Sequence, residues 1–380
     1  MQSTLEYPLK NHQQSLSFLD EVKSAIALNL SPKVNKIDKE GYYPRDFMHI
    51  LGEVGGFQQT ITPAFGGNGR GFRSALQVIE TVSESCLCTG FISWCHIACV
   101  WYIQNSDNTH LHRNILPVVA TGKVLAGTGL SNPMKHFADI EKIALTAQPC
   151  EGGYIIDGLL PWVSNLGKGH YFAVVAQIVG TQDYLMAIVS DDLEGLTLKS
   201  TAHFIALEGS NTYSCQFRNV FVPNELILAS PSADYINRIK TGFILAQVGM
   251  GLGITQASVE AMKRFNLRLA HVNRFLDDGV EIIEEDLEQL RLKSYTLADN
   301  LNHRDIPLDR DFFAQVLQCR IQASELALRS TQSAILHAGA RGYLQGSDLD
   351  RRLRESYFVA IVTPALKHLK KVLYSLDHQI

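Results

Sequence analysis

Residues 152–165 read Gly152-Gly153-Tyr154-Ile155-Ile156-Asp157-Gly158-Leu159-Leu160-Pro161-Trp162-Val163-Ser164-Asn165. The Tyr-Ile-Ile run predicts a short strand. Gly152-Gly153 precede it, and Asp157-Gly158, a strong hairpin turn pair, follows. The same grammar continues downstream. Tyr171–Val179 and Tyr184–Val189 read as strands, and Tyr213–Val222 alternates until Pro223. Short apolar runs punctuated by turn signals indicate an antiparallel sheet or barrel over residues 121–230.

On both sides of this block the polarity period becomes helical. Upstream, Phe18, Leu19, Val22, Ala25 and Ile26 share one helix face, and Phe47, Ile50, Leu51 and Val54 repeat the pattern after Pro44. A glycine-rich loop, Pro63-Ala-Phe-Gly-Gly-Asn-Gly69, separates them from helices over 74–85 and 94–104. Downstream, helices are predicted over 243–268, 281–301, 312–339 and 349–373, the last interrupted near Pro364. The expected fold is α+β and mainly α. It has a helical N-terminal domain (1–120), a central antiparallel β-barrel domain (121–230) and a C-terminal four-helix bundle (231–380).

Composition excludes several classes. The chain has 380 residues, of which 46% are hydrophobic and 19% charged, enough for a large core and incompatible with global disorder. The net charge of −4, from 34 basic and 38 acidic residues without a long basic run, argues against nucleic acid as partner. The longest apolar stretch, Phe243–Ile254, is about half a membrane span. The N-terminus, MQSTLEYPLK, lacks a basic segment followed by an apolar one, so no leader is read there. The seven cysteines are odd in number, which argues against a full disulfide framework. Cys95 and Cys99 flank His96 one helical turn apart, but no two further ligands stand at suitable spacing, so no metal site is expected. A reduced, cytoplasmic protein outside the membrane is the expectation.

Four stretches in order resemble the acyl-CoA dehydrogenase family of flavoproteins. They are Leu51-Gly52-Glu53-Val54-Gly55 with the glycine-rich loop, Gly152–Gly158 with Trp162–Asn165, Gly209–Thr212 with Val220–Pro223, and Gly339-Ala-Arg-Gly-Tyr343 with Arg351–Arg354. The resemblance implies FAD bound where the β domain meets the C-terminal helices, with FMN as the alternate flavin. Thr128-Gly-Leu-Ser-Asn-Pro133 matches the family's turn before its acidic-proline step, so the amides of Leu130 and Ser131 are expected at the flavin pyrimidine edge. Trp162 is expected beside the ring, with the Ser164 hydroxyl reaching N5 as a donor to the electron-rich reduced form. Phe275 and Arg341 are implied as cofactor contacts from a neighbouring copy, in a homodimer or homotetramer.

Three departures stand beside the matches. The family's catalytic Glu, which removes an α-proton, falls on Thr363 when counted from Arg354, and the second subgroup's position falls near Phe243; neither side chain is a base. The glycine-rich phosphate loop is replaced by Met134-Lys-His-Phe-Ala-Asp139, where Lys135 or His136 could substitute charge for amide contacts. The Arg-x-x-Phe-Gly motif survives only as Asn273-Arg-Phe-Leu276, which implies weak, reversible FAD binding. Glu208 is the one candidate for a relocated base.

Three functions follow from this pattern. One is dehydrogenation of an acyl thioester CH–CH bond by proton removal and hydride transfer to N5, with an electron-transfer protein as partner. The second is a monooxygenase of the same fold, supplied with reduced flavin by a separate reductase. The third is a non-catalytic shell. Ser164 and His96 are the candidate catalytic residues, His96 reading otherwise as a packed helix residue.

Overall fold

The computed structural model describes residues 10–200, 202–302 and 309–378; the first nine residues, read above as carrying no leader, lie outside them. The N-terminal part holds α1 (Lys10–Ala25), α2 (Val34–Glu40), α3 (Arg45–Glu53), α4 (Phe72–Ser85), α5 (Leu87–Asn105) and α6 (Leu116–Ala120). Every residue of α5 from Leu87 to Ile103 is buried. A helix apolar on all sides has no solvent face to offer and becomes the axis around which others pack. By length and composition α5 and the stretch 233–273 could each cross a membrane, but 94% of each apolar window is buried inside the protein.

The middle part contains β1 (Ala126–Thr128), α7 (Ser131–His136), β2 (Leu145–Cys150), β3 (Gly153–Val163), β4 (Tyr171–Ile178), β5 (Tyr184–Ser190), β6 (Leu196–Lys199), β7 (Tyr213–Pro223) and β8 (Ile227–Ala229). The strands pair in the order β6-β7-β3-β2-β4-β5-β8, with β1 on β4. The sheet does not close into the expected barrel. It is also mixed, since β1 and β2 run parallel to β4 while the other pairs are antiparallel.

Asp157-Gly158 is not a hairpin turn. It lies inside β3, at a register shift where Gly158 adopts φ +133°. A Cβ there would stand 2.3 Å from Ala144 O, so the strand bulges on glycine and continues pairing with β7. The hairpin instead turns at Glu151-Gly152, between paired Cys150 and Gly153. In β4 and β5 both faces are buried. Phe172, Val174 and Ala176 enter the sheet's own core, while Ala173 and Val175 join the helical core. Such strands read as unbroken apolar runs.

The C-terminal part comprises α8 (Ala233–Ala246), α9 (Val248–Asn273), α10 (Val280–Asn302), α11 (Arg310–Ala338), α12 (Asp348–Ile361) and α13 (Leu366–His378). The helix expected over 243–268 is thus interrupted at Gln247. The α9 helix packs against α10, α11 and α12, and equally along α4. A Cβ on Gly253 would stand 2.3 Å from Glu80 O, so its absence lets α4 and α9 approach backbone to backbone. One apolar core therefore runs through the N- and C-terminal helices together, and a second lies within the sheet.

Candidate active site

The site grows from the point where β1 ends against β3. Thr128 bridges to Ser164, and Tyr102 Oη on α5 supports it 3.0 Å from Thr128 Oγ1. Ser164 Oγ lies 2.6 Å from Thr212 Oγ1, which lies 2.8 Å from Ser210 Oγ. Three hydroxyl protons serve two bonds, so one proton of this row is left to donate to a ligand. Two residues before Ser164, Trp162 is 56% exposed, its indole edge-on to Phe204 with centroids 6.4 Å apart. Asn165 fixes the end of β3 by donating to Ala126 O and accepting from Tyr43 Oη.

Beyond Thr128 the chain enters α7. Leu130 is its N-cap residue and is buried, but no side chain caps the first turn. The amides of a helix start need partners. Opposite stands the α12–α13 connection. Ser131 Oγ meets Thr363 Oγ1 at 2.9 Å, and Gln247 Nε2 donates to Thr363 O at 2.8 Å. Gln247 Oε1 in turn accepts from Arg320 Nε at 2.9 Å. The structure therefore brings Leu130, Ser131 and Ser164 to one region, with Trp162 on the same strand.

Other expected residues lie elsewhere. His96 is fully buried; its Nε2 donates to Val119 O (2.7 Å) and its Nδ1 accepts from Ala126 N (3.0 Å), while Phe57 stacks on the ring. Desolvation lowers its pKa to about 3. With both ring nitrogens occupied by backbone, His96 is a strut between α5 and β1. Phe275, 76% exposed beneath the Arg274 guanidinium, and Arg341 lie at the far ends of α9 and α11. Arg341 shares a cavity of about 650 Å³ with Arg264, Arg268, Phe265 and Ser347.

Several of the other charged residues singled out in the sequence have partners. Arg351 pairs with Glu355 at 2.8 Å with both side chains buried, and Arg354 pairs with Asp38 at 2.7 Å. Lys135 pairs with Glu141, and His136 Nε2 bonds Tyr184 Oη at 2.8 Å. Neither is free to replace the phosphate-loop glycines. Glu208 accepts from Phe204 N and faces His203, so it holds its own loop. Phe243 packs on Trp94 and Tyr102, and no carboxylate adjoins Thr363 or Phe243 in the hydrogen bonds of the described residues.

The residues at the ring end fit a flavin. An exposed indole, a hydroxyl row with one spare proton and an uncapped helix start are a stacking face and donors for an electron-rich heterocycle. At the phosphate end the 134–139 segment offers Lys135 already paired with Glu141 and His136 bonded to Tyr184, and the Arg341 cavity lies apart from it, at the far ends of α9 and α11. Sequence reasoning missed Thr212, Gln247 and Arg320. For Arg320 a signal existed, since it shares the helix face of Val316, Ala323 and Ala327.

Comparison with known proteins adds four findings. Residues 12–123 match the family model for the acyl-CoA dehydrogenase N-terminal domain. The chain is 24% identical to the probable acyl-CoA dehydrogenase YngJ of Bacillus subtilis (strain 168), over 94% of this chain and 95% of that one. Its fold superposes on the glutaryl-coenzyme A dehydrogenase–glutaryl-CoA complex with a TM-score of 0.87 at 18% identity, covering 100% and 97% of the two chains. It superposes on dibenzothiophene monooxygenase (TdsC) from Paenibacillus sp. A11-2 with a TM-score of 0.82 at 16% identity, covering 95% and 97%.

Proposed function

We propose that the chain is a flavin-dependent oxidoreductase of the acyl-CoA dehydrogenase family, whose N-terminal domain residues 12–123 match, that it binds FAD with Leu130, Ser131, Trp162 and Ser164 around the ring, and that it works without a carboxylate base. The observation that carries this is the Ser131–Thr363 hydrogen bond. The position where the family places its Glu holds an alcohol, tied to a second alcohol, and neither accepts a proton at neutral pH.

A reaction that needs no α-proton base is the reading this supports, namely monooxygenation with reduced flavin delivered by a separate reductase. When bound, the reduced flavin would supply the two electrons, and with them its two hydrogens, by which one oxygen atom of O₂ enters the substrate and the other leaves as water. The chain's own residues bind and orient. Trp162 offers its indole face, the Ser164–Thr212–Ser210 row donates its spare proton, and Leu130 and Ser131 present amides. Phe275 and Arg341, at the far ends of α9 and α11, are contributed to the FAD of a neighbouring copy in a homodimer or homotetramer.

A second reading keeps thioester dehydrogenation, with an electron-transfer protein as acceptor. The 24% identity to YngJ along 94% of the chain favours it. Absorbance spectra of purified protein titrated with FAD decide. Bound flavin that ignores acyl-CoA anaerobically, but consumes O₂ and substrate when a reductase is added, is the expected result, and Ser164→Ala should weaken FAD binding roughly tenfold. Anaerobic bleaching by acyl-CoA would establish the dehydrogenase instead, and absence of any FAD binding would leave a non-catalytic shell.

A further inference from the structure

A charge without a counter-charge lies behind the Ser131–Thr363 seam. Arg320 is fully buried on α11, and its donors all go to neutral groups: Nε to Gln247 Oε1 (2.9 Å), Nη1 to Ser324 Oγ and Nη2 to Val359 O (2.5 Å). Among the described residues no carboxylate forms an ion pair with it; Glu325, on the same helix, pairs with Lys370 at 2.6 Å. Burial alone draws the guanidinium down to about 9. A fold gains little from such a group, since an apolar side chain of similar volume fills the space without desolvating a cation.

The charge has a path to the seam. Gln247, itself fully buried, accepts from Arg320 and donates to Thr363 O at 2.8 Å. An amide that accepts from a cation is polarised and becomes a stronger donor at its other end. Gln247 holds Thr363 by its main-chain oxygen and so fixes the side chain of that residue, whose Oγ1 meets Ser131 Oγ at 2.9 Å; both residues are half-buried, so the seam is open to a ligand. Two hydroxyl protons serve this one bond, and the second is left to donate.

We propose that Arg320, acting through Gln247 and Thr363, is a positioning residue that makes the Ser131 seam select the anionic form of its ligand, and that this ligand is reduced rather than oxidised flavin. The proposal rests on the functional reading above, which sets Ser131 at the pyrimidine edge of the ring. Reduced flavin carries its negative charge on that edge at neutral pH; oxidised flavin is neutral there. An uncompensated buried charge acting on that edge at an effective dielectric constant of about 20 shifts the relative affinity roughly 10- to 30-fold. Such a preference lets the chain take flavin already reduced and release it once oxidised.

The test is the ratio of two dissociation constants, for oxidised FAD in air and for dithionite-reduced FAD under anaerobic conditions. Contacts to the phosphates and adenosine are common to both forms and cancel in the ratio. Wild type should bind the reduced form more tightly. In Arg320→Met the preference should fall roughly 10- to 30-fold, with a melting temperature equal to or above wild type, and Arg320→Lys should restore the preference. Gln247→Leu keeps the charge but cuts the relay, so it should lose part of the preference; if Arg320→Met does not fold, this variant decides. An unchanged ratio in a folded variant overturns the role of Arg320. A wild type that binds neither form overturns the functional reading itself, which is a separate result.

Discussion

At neutral pH the imidazole of His96 is a neutral strut, because both nitrogens are held by backbone groups of β1 and of the segment before it. Its folded pKa of about 3 lies below the unfolded value near 6.5. Above 6.5 both states are neutral and the residue adds no slope. As pH falls from about 6.5 toward about 3, the unfolded chain takes a proton that the fold refuses, so stability is lost. At pH 5 the loss is about 2 kcal/mol. Thermal unfolding at pH 7 and pH 5 should show this drop, and His96→Gln, which also donates and accepts once, should show a smaller one. At the other residues of the site the decisive property is hydroxyl pairing: Ser164 with Thr212 and Ser131 with Thr363. No single-residue inspection of the sequence reveals those pairs, because 48 and 232 positions separate the partners.

At the level of elements, β3 carries the site. The Gly158 bulge shifts its register against β7, and the strand then delivers Trp162 and Ser164 beside Thr128. Gly158→Ala forces a side chain into φ +133° and against Ala144 O. The expected cost is about 2 kcal/mol, read from the denaturant midpoint. Loss of FAD affinity should accompany it in the variant that still folds. The helices make a complementary point. The break at Gln247, between α8 and α9, places a buried amide where an uninterrupted helix would place an ordinary turn. That break is what links the α12–α13 connection to α11.

In the whole molecule, the N- and C-terminal helices form one core around α5 and α9, and the sheet leans on it through β4 and β5. At one end of α9 and α11 this arrangement leaves large side chains in solvent: Leu267 at 85%, Phe275 at 76% and Tyr343 at 88% exposed. Scattered apolar residues are ordinary on a surface, but large ones exposed near the same helix ends are candidates for a contact, which the proposed homo-oligomer would cover. Light scattering should give a mass above one chain for wild type, and Phe275→Glu should shift it toward the monomer; a monomeric wild type would remove the shared-cofactor arrangement.

Periodicity in the sequence determined the order of helical, β and helical parts, because the spacing of apolar residues dictates which backbone conformation can bury them. The strands at 171–178 and 184–190 are nearly where apolar runs put them, and that at 213–223 where alternation did. Motifs spread along the chain were enough to point to the family whose N-terminal model residues 12–123 match. Tertiary structure alone decided the rest. It opened the barrel into a mixed sheet, moved Asp157-Gly158 from a turn into a strand, and sealed His96 away from any ligand. It also joined Arg320, Gln247, Thr363 and Ser131 into one line. Pairings between distant segments depend on how elements dock, and a local pattern records only which face of each element is apolar.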